Sequence, residues 1–166
     1  MMPNIGGPRE KKRRLVATVI QSKQLYAAPE RWDGESKGRW TYRLIPLLAT
    51  WLDRKHGEVG YYLTQAFSGH GCFGQYFYRL KIEAEARCVY CNGSGVDKAI
   101  HTDDAEHTLF FCGHWRELRQ AKFSAVGTEV TSENMVSIML QSADSWRSVK
   151  SFITTVMRTK EDDRRR

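Results

Sequence analysis

No stretch of this 166-residue chain approaches the ~18 consecutive apolar residues of a membrane span. The N-terminus is basic and then polar, with no hydrophobic signal-peptide region. The chain is therefore expected to have no membrane partner and to be intracellular, in the nucleus and/or cytoplasm. Cysteine is scarce, at four residues. Without a secretory signal these point to a reducing compartment, with disulfides as the alternative. There is no internal repeat. The length allows one domain or two small ones, and a composition that is 41% apolar supplies a core.

Acidic residues are the minority, 19 against 26 basic, for a net charge of +7. The excess is uneven. Residues 1–28 carry Arg9, Lys11, Lys12, Arg13, Arg14 and Lys23 against Glu10, a balance of +5. Residues 31–87 add +3 and the tail from Arg158 adds +2, whereas residues 88–112 are −3. A basic chain suits a polyanionic partner, and the contacts to phosphate then come mostly from the flanks of the acidic segment. A solvated basic face with no ligand is the plainer alternative.

That acidic segment holds the most specific pattern. Cys88-Val-Tyr-Cys91 is followed by His107-Thr-Leu-Phe-Phe-Cys112, a C-x2-C-x15-H-x4-C spacing. Cys88, Cys91, His107 and Cys112 make a closed Cys3His set, which suits a structural Zn²⁺ and leaves no open position for substrate. Three thiolates on one divalent ion carry one net negative charge. Buried free thiols with a surface histidine are the alternative. His101 and His114 are rival ligands; His107 is preferred for its spacing to Cys112. Cys72 reads as a buried small hydrophobe. Asn92-Gly-Ser-Gly95 supplies turn residues that let backbone amides fold back toward sulfur, and the polar spacer reads as a surface loop.

Periodicity predicts a mainly α fold: short helices packed around a small Cys3His zinc-knuckle segment, with a flexible basic N-terminus and a charged C-terminal tail. Residues 9–28 fit a basic amphipathic helix, and 29–38 a loop. Leu44, Leu47, Leu48, Trp51 and Leu52 form one helical stripe with Pro46 near its start. Tyr61 to Phe67 form a helix ending at Gly69, and Phe73, Tyr76, Phe77 and Leu80 another. Trp115 and Leu118 continue from Cys112, and Gly127 breaks that helix. Ser132 is a candidate cap for the helix starting at Met135. Asp144 or Ser145 is the candidate cap for the last helix, with its stripe Trp146, Val149, Phe152, Ile153, Val156 and Met157. Residues 160–166 read as frayed. The expected units are 1–29 (basic helix and linker), 30–87 (helical), 88–112 (knuckle) and 113–166 (C-terminal helices with a frayed tail).

Several motifs carry a family resemblance: Arg39-Trp-Thr-Tyr-Arg-Leu-Ile-Pro46, His56-Gly-Glu-Val59, Tyr62-Leu-Thr-Gln65, Gly69-His-Gly-Cys-Phe73 and Asp104-Ala-Glu-His-Thr-Leu-Phe-Phe-Cys112. Together they resemble the C-terminal end of a non-LTR (LINE-type) retrotransposon reverse transcriptase of the site-specific arthropod type. The resemblance runs from about Glu30 to the C-terminus. Residues 1–28 resemble a piece lying upstream in such polyproteins, so the chain resembles a truncated or internally deleted remnant with a junction near Pro29-Glu30. The family implies a CCHC zinc knuckle that handles element RNA or target DNA, with Cys88, Cys91, His107 and Cys112 as ligands. The spacer between Cys91 and His107 is about twice the family's usual length.

Template-directed synthesis needs paired aspartates holding two Mg²⁺ ions. Asp103-Asp104 and Asp162-Asp163 lack the family's catalytic context, and His56 with Glu58 read as helix-end residues. The chain is therefore expected to be no enzyme and to take no small-molecule substrate. Two functional expectations stand. One is a nucleic-acid-binding zinc module using Arg9, Lys11, Lys12, Arg13 and Arg14, a second surface of Arg39, Arg43, Arg54 and Lys55, and Tyr90 or Phe110 as stacking faces. The other is a zinc-stabilised interaction or structural module docking on the rest of the reverse transcriptase. A remnant without function is the third alternative.

Overall fold

The computed structural model describes residues 34, 36–91 and 101–166. The expected helix over 9–28, with Arg9, Lys11, Lys12, Arg13 and Arg14, lies outside the described residues, as does the turn over 92–95. The protein is mainly helical. Before the knuckle come α1 (Arg39–Leu44), α2 (Leu48–Leu52), α3 (Tyr61–Ser68) and α4 (Gly74–Arg79). After it come α5 (Arg116–Phe123), α6 (Met135–Gln141) and α7 (Ala143–Arg165). Among the described residues the extended pairing is limited to one isolated antiparallel bridge, Arg87 to Thr102.

The organiser is α7. Its 23 residues span about 34 Å at 1.5 Å per residue. Trp146, Val149, Phe152, Ile153, Val156 and Met157 recur at three- and four-residue steps and are all buried. Against that stripe pack α3, α5 and α6, and α1 packs on α3. One apolar core joins residues from 44 to 157, and Cys88 and Cys112 belong to it. The described parts of the segments 30–87, 88–112 and 113–166 therefore share a single interior.

Each short helix is held by partners outside itself, as its length requires. The last carbonyls of α3 lack intrahelical donors. Trp40 Nε1 donates to Ala66 O at 2.8 Å and Thr41 Oγ1 to Phe67 O at 2.8 Å, which pins α1 across the end of α3. Gly69 ends α3 in the left-handed region, φ 68°, where the sequence placed the stop. Gly57 is held more tightly: its φ is 87°, and a Cβ there would lie 2.2 Å from the Trp146 ring.

Among the helices the sequence and the structure part at several places. The single stripe from Leu44 to Leu52 is two helices. Ile45 leaves the helical region (φ −127°, ψ 64°) because it precedes Pro46, whose ring crowds a helical neighbour. Leu44 and Trp51 stay buried, but Leu47 is 71% and Leu52 44% exposed. The cap of α7 is neither Asp144 nor Ser145 but Ser142. Its extended backbone lets Oγ accept from Ser145 N at 3.0 Å. Ser132 does not cap α6; its hydroxyl meets Glu133 and Glu106. Finally, residues 160–165 are not frayed. They continue α7, and Lys160 is 5% exposed, paired with buried Asp103.

Candidate metal centre

Two backbone pieces meet at the centre. The first is the end of the Arg87–Thr102 pairing. Asp103 N donates to Ala86 O at 2.7 Å and Cys88 N to His101 O at 2.9 Å, so Cys88 enters from a fixed two-stranded stem. The chain then turns, and the amides of Tyr90 and Cys91 point back at the Cys88 sulfur.

The second piece is a π-helical turn, His107–Phe111. Asp104 starts it by accepting from His107 N at 2.7 Å, the cap geometry of an aspartate ahead of a helix. Cys112 N closes it onto His107 O at 2.6 Å, an i to i+5 bond. That register suits the H-x4-C spacing. In an α-helix five residues carry a side chain about 140° past a full turn, whereas the wider π turn closes over the same five residues.

These pieces bring the four predicted ligands together. Cys91 Sγ lies 3.2 Å from His107 Nε2 and 3.4 Å from Cys112 Sγ, and Cys88 Sγ lies 3.9 Å from Cys112 Sγ. All four ligand atoms fall within 4.8 Å of one another. Bond lengths of ~2.3 Å to sulfur and ~2.0–2.1 Å to nitrogen put tetrahedral ligand atoms ~3.5–3.8 Å apart. The sulfurs are free thiols, well beyond the ~2.05 Å of a disulfide. The group can hold a metal ion.

The hydrogen bond between the two buried sulfurs shifts the pair in opposite directions: it lowers the Cys88 thiol far below its ordinary range, against the effect of burial, and raises that of Cys112, with burial adding to the rise. Arg119 sits behind the turn. Its Nε donates to Leu109 O at 2.8 Å and its Nη2 to Cys112 O at 3.1 Å, which satisfies carbonyls that the turn leaves open. Burial lowers the Arg119 guanidinium, and the nearby Cys112 works against that.

The rivals fall away on geometry. His101 stacks flat on His107, with ring centroids 5.0 Å apart and 14° between planes, but it is not among the four converging ligands. His114 stands against Tyr90 and Trp115. Cys72 is half-buried rather than buried, and burial raises its thiol. Asp103 is a buried residue, not part of a surface loop. It accepts from Gly74 N at 2.8 Å, Thr108 Oγ1 at 2.9 Å and Lys160 Nζ at 2.5 Å. His101 and Thr102 are exposed, and spacer residues 92–100 lie outside the described residues.

Arg9, Lys11, Lys12, Arg13 and Arg14 lie outside the described residues, and among the described ones the predicted nucleic-acid contacts are partly engaged within the fold. Arg43 is paired with Glu106. Arg54 donates to Trp51 O at 2.7 Å and to Gly57 O at 3.3 Å, and lies 4.3 Å from the Trp51 ring. Arg39 lies 3.8 Å over the Tyr42 ring, and Lys55 is exposed. The Tyr90 hydroxyl donates to Asp163 at 2.9 Å while its ring packs on Trp115 and beside Lys160. Phe110 is half-buried, near Trp40.

Sequence reading missed the supports: Asp103, Lys160 and Arg119. The buried Asp103–Lys160 pair had no local signal. Arg119, three residues after Arg116 on α5, looked like any solvated cation. Compared with models of protein families, curated proteins and solved structures, the chain matches none of them. Among the described residues no helix is long and apolar enough to cross a membrane.

Proposed function

We propose that this chain is a non-catalytic zinc module that binds single-stranded nucleic acid, the C-terminal module of a retrotransposon reverse transcriptase. The observation that carries the zinc assignment is the convergence of Cys88, Cys91, His107 and Cys112 within 4.8 Å. Soft thiolates with one imidazole in a tetrahedron favour Zn²⁺. Four protein ligands leave no position for a substrate, so the metal serves the fold. The charge of +7 supports a polyanionic partner.

Two measurements test the reading. Elemental analysis of the purified chain should return one zinc per chain, and Cys91→Ser should lose it. Binding of single-stranded oligonucleotides should weaken steeply with salt, since each phosphate contact releases counterion. Binding that is absent, or flat in salt, overturns the nucleic-acid reading.

One observation favours the second reading, a module docking on the polymerase. Leu44, Ile45, Pro46, Leu47, Val136 and Leu140 line an apolar notch of about 140 Å³ beside exposed Leu47. Under that reading Leu47→Asp abolishes association with the polymerase and leaves oligonucleotide binding intact.

A further inference from the structure

A cleft opens where Phe110 of the π-helical turn meets α5 and the segment that follows it. Its volume is about 430 Å³, within the range of small-ligand sites. Phe110 comes from the metal-bearing turn and Phe123 from the end of α5, and both rings are half-buried. Arg116 and Gln120 of α5, and Thr128 and Glu129 from the segment after it, also line the cleft, and all four are exposed. Neither the Arg116 guanidinium nor the Gln120 amide has a hydrogen-bond or ion-pair partner among the described residues. That sets Arg116 apart from Arg43, Arg54 and Arg119, which are already engaged.

We infer that this cleft is a nucleobase subsite for single-stranded nucleic acid. This deepens the nucleic-acid reading and rests on it. The chemistry of the lining selects the occupant. A phenyl ring offers a face to any base, whichever base it is. Gln120 supplies both a donor and an acceptor for a base edge. Glu129 is acceptor-only, so it receives an exocyclic amino group, as carboxylates do from cytosine N4. Arg116 supplies charge for a flanking phosphate. A bare acidic ligand fits less well, because Glu129 repels it.

The cleft is also tied to the metal. Phe110 is carried by the turn that presents His107, and Arg119, which lines the cleft, bonds the carbonyls of Leu109 and Cys112. Metal loading therefore positions one aromatic wall and Arg119 a second part of the frame. Arg119 is a positioning residue here.

The test uses the full zinc-loaded chain with single-stranded oligo(C) and oligo(U), as both RNA and DNA. Arg116→Ala and Gln120→Ala change exposed side chains. Phe123→Leu keeps an apolar filling against Phe152 but removes the flat face. Far-UV circular dichroism and zinc content should be unchanged in all three. Phe123→Leu should weaken binding at least about fivefold, the low end of a stacking contact. Arg116→Ala should lower the salt slope by about 0.7 for one phosphate contact on a single strand. Oligo(C) should bind more tightly than oligo(U), and Glu129→Gln should narrow that difference. Photo-crosslinking of a 5-iodouridine-labelled strand, mapped by mass spectrometry, should place the adduct on Phe110 or Phe123. If the wild-type chain binds and adducts map elsewhere, or the variants bind like wild type, the subsite is wrong and the broader reading stands. If the wild-type chain binds no oligonucleotide, both fall together.

Discussion

At the scale of single residues, the candidate metal centre is framed by side chains outside its four converging ligand atoms. Asp103 is the clearest. It is 6% exposed, and its carboxylate accepts from a backbone amide, a hydroxyl and the Lys160 ammonium. A buried charge left without its partner is strongly destabilising, by ~3–5 kcal/mol. Lys160→Met should therefore lower the unfolding free energy by about that much in chemical denaturation with zinc saturating. Adding Asp103→Asn should recover part of the loss, because the amide oxygen still accepts from Gly74 N and carries no charge. If the double variant is no more stable than Lys160→Met alone, the buried charge is not the cause.

Arg119 acts on the same centre from the other side. Outer groups that orient ligands commonly change metal affinity ~10–100-fold. Arg119→Met keeps the stem and removes both carbonyl contacts, so zinc affinity in a competition assay with a chelating dye should fall about tenfold. Gly57 makes a backbone demand. Its φ of 87° is strained for any L side chain, and an added Cβ would meet the Trp146 ring at 2.2 Å. Gly57→Ala should cost at least ~2 kcal/mol in the same denaturation assay, from the strain and the overpacking together.

At the scale of elements, the π-helical turn and the end of α7 decide the geometry. The turn gives His107 and Cys112 a common side despite a five-residue separation, and Asp104 holds its start. Asp104→Ala removes the cap bond to His107 N, worth ~1 kcal/mol by analogy with other caps. The loss should appear as weaker zinc binding with the helix content of α7 retained, because α7 is capped separately by Ser142. Loss of α7 helicity in that variant, read by hydrogen exchange, would refute this separation. The last two turns of α7 belong to the knuckle as much as to the helix. Lys160 holds Asp103, Glu161 accepts from the Tyr62 hydroxyl at 2.9 Å, and Asp163 accepts from the Tyr90 hydroxyl at 2.9 Å. The hydrogen bond to Glu161 raises the Tyr62 phenol, and burial raises that of Tyr90, so both stay protonated donors at neutral pH.

At the scale of the whole molecule, the centre is part of the core and no appendage to it. Cys88 is 1% and Cys112 0% exposed, and both lie in the cluster that includes Phe152 and Met157. A closed site of this kind couples metal binding to folding. Chelation should therefore lower the melting temperature and broaden the unfolding transition of the helical core, and re-addition of zinc should restore it. A chain that melts at the same temperature with and without metal would show that the helices cohere by themselves.

Much of this was open to one-dimensional reading. The two halves of the candidate ligand set follow from spacing, since two residues in a C-x2-C turn and two in an H-x4-C turn are each brought close by local backbone geometry. The buried stripe of α7 follows from its 3.6-residue period, and the stop of α3 from Gly69, where a left-handed residue is needed. The break at Pro46 was also written locally, in the residue before a proline, although the continuous leucine spacing overrode it. What only the tertiary structure decided are the long-range pairings. Lys160 meets Asp103 across 57 residues, and Tyr90 meets Asp163 across 73. No period or spacing encodes such pairs. They exist because α7 packs along the core and delivers its charged end to the knuckle, turning a tail that reads as solvated into a support of the metal centre. The Ser142 cap has a similar origin, in a backbone that becomes extended only where α6 hands over to α7.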